Sequence, residues 1–389
     1  MKNLNDNHES CFSILSIELE PTHYKIDLWN TVATSSQVDV CVLYTQAKNW
    51  APDGGHNYLI FPESKYKYSV LTGYGLLGTL HSMFAVIKSI VIGKVNMVII
   101  CGYSSIPTIF ALLTCFVMNK DFSLVVDQFN NGAPYGKFSS FKLFVRNTIR
   151  KFCFKFASAI LVCGENGIKS ARKAGCTIDK VYDFPYTIDV ERILTDTPEV
   201  VPESCLADVD CEASIIFFSG RMIERKGLPL LLTALATLNT SKEWILWIEG
   251  DGPELEKYIQ IAEEYNIGKQ CRFLGFCQYD VHSWLIRSSS IVIVPSQQDN
   301  WGIVVDEGLQ LGKIVISNNA TGSSCDRIVH GINGYTYHAG NFQELSNLIN
   351  VSLNQDRLNN KIGHAAKNNQ RNIKPSDNLN TLLEIVKGV

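Results

Sequence analysis

Short apolar runs rich in Val, Ile and Phe recur along the chain, separated by longer stretches whose apolar positions return every three or four residues. The runs predict strands and the longer period predicts helices. In the first half strands are expected at 12–17, 38–44, 95–101, 123–126, 159–163 and 181–184, with helices at 25–33, 76–92, 106–117, 140–156 and 166–174. Residues 195–213, rich in acids and proline and without an apolar period, break this rhythm and read as a linker. The alternation then restarts, with strands at 214–219, 244–249, 272–274, 291–294 and 314–317. Helices are expected at 228–238, 254–265, 279–287, 303–311, 342–353, 355–369 and 378–386. Such alternation with short connections predicts an α/β chain of two Rossmann-like, doubly wound domains, 1–194 and 214–372. Residues 373–389 form a last helix that packs back on the first domain. The two sheets are expected to face each other across a cleft, with ligands at the carboxyl ends of their strands.

Composition narrows the class. With 389 residues, 46% hydrophobic and 19% charged, the chain has enough apolar surface for two cores, which excludes disordered, collagen-like and coiled-coil architectures. A net charge of −3 gives no whole-chain attraction to nucleic acid or membrane. None of the 12 cysteines stands at C-x2-C spacing, so a reduced chain with small buried thiols is expected, and no zinc cluster. The polar start MKNLNDNHES lacks the apolar stretch of a secretory signal. The nearest approach to a membrane span, 97–118, is interrupted by Gly102, Ser104, Ser105 and Pro107, and reads as strand, turn and helix.

One segment departs from the neutral average. Residues 137–156 carry Lys137, Lys142, Arg146, Arg150, Lys151 and Lys155 among phenylalanines, without an acid. A basic amphipathic helix of this kind docks on an anionic membrane surface, with Lys142, Arg146, Arg150 and Lys151 as the contacts. The plainer reading is a sheet-covering helix with solvated cations. No RNA- or DNA-binding module accompanies it, so no nucleic acid partner is expected.

The chemistry is written in the second half. After the run 214–219, Gly220 permits a turn, and Arg221 and Lys226 flank the start of a helix. A glycine turn, two cations and a helix amino terminus make an anion site. A second turn, Gly250-Asp251-Gly252-Pro253, follows the next strand and lets backbone approach a ligand. The third and most informative stretch is 292–317. There Pro295-Ser296 ends a strand, Asp299 lies on the loop, and Trp301-Gly302 leads into a helix bearing Asp306 and Glu307. Two carboxylates at this spacing suit the vicinal hydroxyls of sugars. Asp299 as a simple helix cap is the alternative.

Taken in order, G-R-x4-K-G at Gly220–Gly227, G-x-G-P at Gly250–Pro253, F-x-G-F at Phe273–Phe276 and P-S-x2-D-x-W-G-x4-E-x4-G at Pro295–Gly312 resemble the donor domain of family 4 glycosyltransferases. These are retaining, nucleotide-sugar-dependent enzymes of the GT-B fold, also called glycosyl transferases group 1. The resemblance implies that Arg221 and Lys226 hold a donor diphosphate, with Gly220, Gly250 and Gly252 in the surrounding turns. Glu307 would bind the nucleotide ribose. Asp299, where the family's E-x7-E usually begins with Glu, would contact the donor sugar, supported by backbone at Trp301, Gly302 and Ile303. Phe276, beside Gly275, would sit near the base. The Asp and the Trp, where Phe is commoner, would tune sugar choice. The implied reaction moves a sugar from a UDP- or GDP-sugar to a glycan hydroxyl. The acceptor would be polyprenyl-diphosphate-linked, in bacterial surface polysaccharide synthesis at the cytoplasmic face of the inner membrane. No cofactor or metal is implied.

The first half matches this pattern less well. The loop after its first strand, 18–24, has no glycine, and no histidine follows 123–126. Asp127, or His23 from the first loop, are the candidate catalytic groups there. Front-face retaining transfer needs no protein base, because the leaving diphosphate can take the acceptor proton. A GT-B sugar-nucleotide epimerase and a non-catalytic nucleotide-sugar-binding subunit are the alternatives. A nicotinamide enzyme is disfavoured, because no early strand is followed by G-x-G-x-x-G with an acid about 20 residues further on.

Overall fold

The structure, a computed structural model, describes residues 11–45, 64–71, 75–129, 140–209, 213–369 and 371–388; for 140–142 and 356 it describes the backbone alone. The chain divides into two compact units between Thr187 and Ile188, ahead of the expected linker, and rejoins the first unit at Lys374.

The first unit holds β1 (Phe12–Glu18), α1 (His23–Ala33), β2 (Val38–Tyr44), β3 (Lys67–Val70), α2 (Gly75–Ile92), β4 (Met97–Cys101) and α3 (Ile106–Val117). It continues with β5 (Asp121–Val126), α4 (Ser140–Phe156), β6 (Ala159–Val162), α5 (Gly164–Lys173) and β7 (Val181–Asp183). The seven strands pair in parallel in the order β3-β2-β1-β4-β5-β6-β7. Side chains alternate across the sheet. Leu15, Ile17, Val98 and Ile100 pack under α2, α3, α4 and α5, while Ile14, Val40, Met97 and Ile99 face α1 with Trp29 and Val32. Residues 97–118 are β4, a turn and α3, as their interrupted pattern predicts.

The second unit begins with α6 (Val190–Thr195) and α7 (Glu203–Val209), then β8 (Ser214–Ser219), α8 (Leu228–Ala236), β9 (Trp244–Glu249), α9 (Leu255–Glu264), β10 (Cys271–Gly275) and α10 (Tyr279–Ser288). After these come β11 (Ile291–Val294), α11 (Ile303–Gln310), β12 (Ile314–Asn318), α12 (Gly322–Arg327), β13 (Tyr335–Tyr337), α13 (Phe342–Asn354) and α14 (Asp356–Lys367). Its parallel sheet runs β10-β9-β8-β11-β12-β13, the doubly wound order in which the strand sequence reverses between the first and fourth strands. Again the strands are apolar on both faces. Ile216, Phe218, Leu246 and Ile248 pack with α8, α9 and α13, and Phe217, Trp247, Val292 and Val315 with α10 and α11.

Every expected strand and helix is present, and among the described residues the short strands β3 and β13 and the short α-helices α6, α7 and α12 escape the apolar pattern. β3 is an exposed edge strand without an apolar run. The acid-rich stretch read as a linker is instead fastened to the second unit. Asp208 on α7 accepts from the Trp247 indole at 2.9 Å and pairs with Arg272 at 2.9 Å. Ser283 donates to Asp196 at 2.9 Å, and the Arg287 guanidinium binds the Leu194 and Asp196 carbonyls. The acids that spoil the hydrophobic period are the anchors. Eleven cysteines fall within the described residues, and all are thiols, with no disulfide among them.

Helix α15 (Pro375–Gly388) packs in the first unit against α1. Its Leu382, Ile385 and Val386 enter the Trp29 core, and Asn378 donates to the Pro185 carbonyl at 2.8 Å. Leu382→Ala removes a side chain with no exposed surface. A loss of about 2–5 kcal/mol in the urea unfolding of the first unit is expected.

Candidate functional site

The second unit's site grows from the point where the strand order reverses. Helices leaving β8 and β11 depart to opposite faces, so the loops after these strands diverge and leave a crevice at the sheet's carboxyl edge. Those loops carry the predicted G-R-x4-K-G and P-S-x2-D-x-W-G segments. The first forms a 3-10 turn, Glu224–Lys226, and reaches α8 through Gly227 at φ 76°. This glycine does two jobs: it takes the left-handed conformation, and it lies against the Pro295 carbonyl, where any Cβ would collide. The two loops are therefore in backbone contact. Gln297 N–H also donates to the Arg225 carbonyl at 2.8 Å, and the Arg225 guanidinium donates to the Gln298 carbonyl at 3.3 Å.

Across this crevice Lys226 Nζ meets Asp299 Oδ2 at 2.6 Å, with the Ser296 hydroxyl 3.4 Å from the same oxygen. Both charged groups keep part of their surface open. Asp299 does not cap α11. Its backbone pairs with Ala320 and Gly322, and the N-cap is Gly302, which has no side chain of its own to cap the helix. Gly220, Gly250 and Gly275 lie side by side at the ends of β8, β9 and β10, linked by Gly220 N–H to Glu249 at 3.0 Å and Gly250 N–H to Gly275 at 2.7 Å. Gly250, at φ 124°, has the Gly220 carbonyl where a Cβ would be. Gly252 stands against the Met222 carbonyl in the same row of turns. Arg221, Phe276 and Ile303 are half-buried around these loops.

Glu307 was expected to bind the nucleotide ribose. It is fully buried on α11, and its carboxylate accepts from His282 Nε2 at 3.0 Å and from the Tyr279 hydroxyl at 3.4 Å. The other ring nitrogen of His282 meets Glu249 Oε2 at 2.6 Å. Glu249 ends β9, so a continuous chain Glu249–His282–Glu307 runs beneath the row of glycine turns. Burial alone would push the imidazole pKa down, but the two flanking carboxylates, by charge and hydrogen bond, carry it well above its ordinary value. His282 is thus held between two carboxylates that favour its protonated form. Tyr279 stacks on the imidazole at 5.5 Å, and the Arg192 guanidinium lies over Tyr279 at 4.1 Å. Sequence reasoning missed His282 and Glu249. The available signal was an acid closing the otherwise apolar run WILWIE directly before the Gly250 turn.

Trp301 was expected to contribute its backbone to the site. Its side chain is buried under Arg327, whose guanidinium lies 4.9 Å from the ring, and so anchors the loop. Arg327 pairs with Asp306 at 3.2 Å, yet burial still pushes the Asp306 carboxyl up to about 7.

In the first unit, Asp127 follows β5 and accepts from the Tyr186 hydroxyl at 2.6 Å; Tyr186 stacks on Tyr24 at 4.2 Å, and Tyr24 meets the His23 ring edge-on at 5.4 Å. His23 and Asp127 thus belong to one aromatic cluster at the carboxyl edge of the first sheet. The glycine-free first loop is closed by a buried ion pair, Lys25 to Glu18 at 2.7 Å, and Trp29 also donates to Glu18 at 3.2 Å. Of the cations expected to face a membrane, Arg146 and Arg150 are half-buried beside Tyr103, and they oppose the burial that raises its hydroxyl pKa. Lys151 and Lys155 point outward, and the side chain of Lys142 and all of Lys137 lie outside the described residues. Among the described residues, no three His, Cys, Asp or Glu side chains are grouped to hold a metal.

His282→Ala strands two buried carboxylates, and a loss of about 3–5 kcal/mol of unfolding free energy is expected near pH 6. A histidine with a raised folded pKa stabilises fully below its unfolded value of about 6.5, and the contribution fades as pH rises through the folded pKa. The difference between wild type and His282→Gln, measured by denaturant unfolding, should therefore be largest near pH 6 and shrink at alkaline pH.

Comparison with known proteins places this geometry. Lipopolysaccharide core biosynthesis glycosyltransferase LpsD of Rhizobium meliloti is 30% identical over 148 residues, 37% of this chain and 42% of that protein. LpsE of the same organism is 27% identical over 165 residues, 42% of this chain and 44% of that protein. The chain thus matches less than half the length of either relative. The crystal structure of Anabaena Alr3699/HepE in complex with UDP and glucose superposes with a TM-score of 0.76 at 16% identity, covering 97% of this chain and all of that one. That likeness establishes the fold: two Rossmann-like parallel-sheet units, the GT-B architecture. Residues 209–369, which include every loop of the second unit's site, match the family model described as Glycosyl transferases group 1.

Proposed function

We propose that the chain is a retaining glycosyltransferase that moves a sugar from a nucleoside-diphosphate sugar to a glycan hydroxyl. The observation that carries the reading is the Lys226–Asp299 pair at the reversal point of the second sheet, framed by the glycine turns and by the Gly302 N-cap of α11. A diphosphate entering the crevice offers Lys226 a second anion. Lys226 and Arg221 take the phosphates, and the exchange leaves the Asp299 carboxylate to accept from the donor sugar's hydroxyls. Donor binding thereby assembles the sugar site. Glu307, fixed by His282, takes the ribose diol, with the ribose hydroxyl displacing the longer Tyr279 contact. Phe276 flanks the base. Backbone N–H groups at Gly302 and Ile303 support the phosphates.

The bond from the anomeric carbon to the diphosphate oxygen breaks, the acceptor oxygen attacks the same face, and its proton passes to the departing diphosphate. Arg221 and Lys226 stabilise the charge that develops there, without a metal. In the first unit, Asp127 and His23 orient the acceptor hydroxyl. The names of LpsD and LpsE support bacterial surface polysaccharide as the setting. A lipid-linked acceptor at the cytoplasmic membrane face, and a UDP- or GDP-sugar donor, complete the proposal.

The test is a screen of UDP-, GDP- and ADP-sugars for transfer and slow hydrolysis, with the anomeric configuration of the product read by NMR. Lys226→Ala should lower turnover by about 10²–10³-fold while the far-UV spectrum stays that of the wild type. Full activity in that variant, or an inverted product, would sink the reading. A product formed from the donor alone with its sugar epimerised would replace it with the epimerase.

A further inference from the structure

The helices covering one face of the first sheet are themselves uncovered. On α2 the inner stripe Gly78, Ser82, Val86 and Ile90 is buried, whereas the outer stripe carries Leu77 at 81% exposure, Phe84 at 64% and Ile92 at 70%. α3, which runs beside α2, buries Ala111, Leu112 and Cys115 and turns out Leu113 and Val117, the latter 78% exposed. α4 adjoins α3 through edge-to-face contacts of Phe116 with Phe152 at 5.3 Å and Phe156 at 4.7 Å, and presents Phe144 outward. All three helices bury their inner sides in one core. Their outer sides therefore turn a run of large apolar side chains to the surface, the kind of exposure that marks an interaction face.

Charge identifies what covers it. The three helices contain no Asp or Glu. Lys88 on α2, Lys94 just after it, and Lys151 and Lys155 on α4 are exposed, and the Lys155 ammonium lies 5.1 Å from the Phe156 ring at the edge of the apolar surface. A second copy of the chain docked through the same face about a two-fold axis would set this apolar surface and its lysines against an identical set, cation against cation. An anionic bilayer answers both halves: hydrocarbon for the apolar stripes, and headgroup charge for the lysines. We propose that the outer face of α2, α3 and α4 is a monotopic membrane-docking surface that lies in the interface of an anionic bilayer. α2 is long and apolar enough to span a membrane, but its inner stripe belongs to the sheet's core, so it lies on the membrane and does not cross it. This surface is independent of the donor site and of the transferase reading.

The test uses the full chain and vesicles, without donor or acceptor, so its failure leaves the transferase proposal untouched. Co-sedimentation is measured with phosphatidylcholine vesicles containing or lacking phosphatidylglycerol, and the oligomeric state by sedimentation velocity. The expected result is a monomer that binds the anionic vesicles, more weakly at high salt. The Leu77→Gln, Phe84→Gln, Val117→Gln triple variant, altered only at exposed positions, should bind at least about tenfold more weakly with an unchanged far-UV spectrum. Lys151→Gln with Lys155→Gln should weaken binding to anionic vesicles alone. Absence of vesicle binding by the wild type, or equal binding by the triple variant, overturns the proposal. So does a wild-type dimer that the triple variant disperses without any vesicle binding, which would make the face an interface between copies.

Discussion

The second unit is organised around a contact with almost no chemistry in it: the bare Cα of Gly227 lying against the Pro295 carbonyl. Two loops that leave a parallel sheet in opposite directions tend to separate. Here they are drawn together closely enough that no side chain fits between them. That approach brings a lysine and an aspartate, far apart in sequence, into an ion pair of 2.6 Å, and holds the Arg225 guanidinium against the facing loop. The three glycine turns beside them extend the sheet's hydrogen bonding past the last residues of β8, β9 and β10. An anion-binding crevice follows from strand order and backbone proximity before any side chain is considered.

Below that crevice the polar groups obey a stricter rule. A buried charge is costly unless it is paired and fully hydrogen-bonded. The Glu249–His282–Glu307 chain meets this by setting one imidazole between two carboxylates and stacking Tyr279 on its flank. The result fixes the rotamer of Glu307 from the protein side, so α11 presents its acid in a set position. Asp306, one residue earlier, meets the same cost in another way, through Arg327 and a carboxyl that holds its proton more readily than usual.

Much of this was legible in the sequence, for identifiable reasons. Parallel strands buried on both faces read as continuous apolar runs, so β4, β8, β9 and β11 were visible. The glycine turns were visible too, because their backbone conformations admit few other residues. Contacts between distant positions were not. Nothing near His282 names Glu249 or Glu307 as its partners, and Trp301 looks alike in sequence whether it lines a pocket or supports a loop. Segment 195–213 misled because acids interrupt hydrophobic periodicity equally when they are solvated and when, like Asp208, they receive a buried indole. The apolar outer stripes of α2 and α3 were hidden for the opposite reason: an apolar helix reads as core until the sheet shows which side is already occupied.

Helix α15 carries a consequence for how the molecule is made. It supplies Leu382, Ile385 and Val386 to a core otherwise built from residues of the first unit. During synthesis the ribosome must complete the whole second unit before that core can close. The core between α1 and the first sheet then lacks Leu382, Ile385 and Val386 while some two hundred residues emerge at ~10 per second. For this face the last residues to be translated are among those that close the core of the first unit.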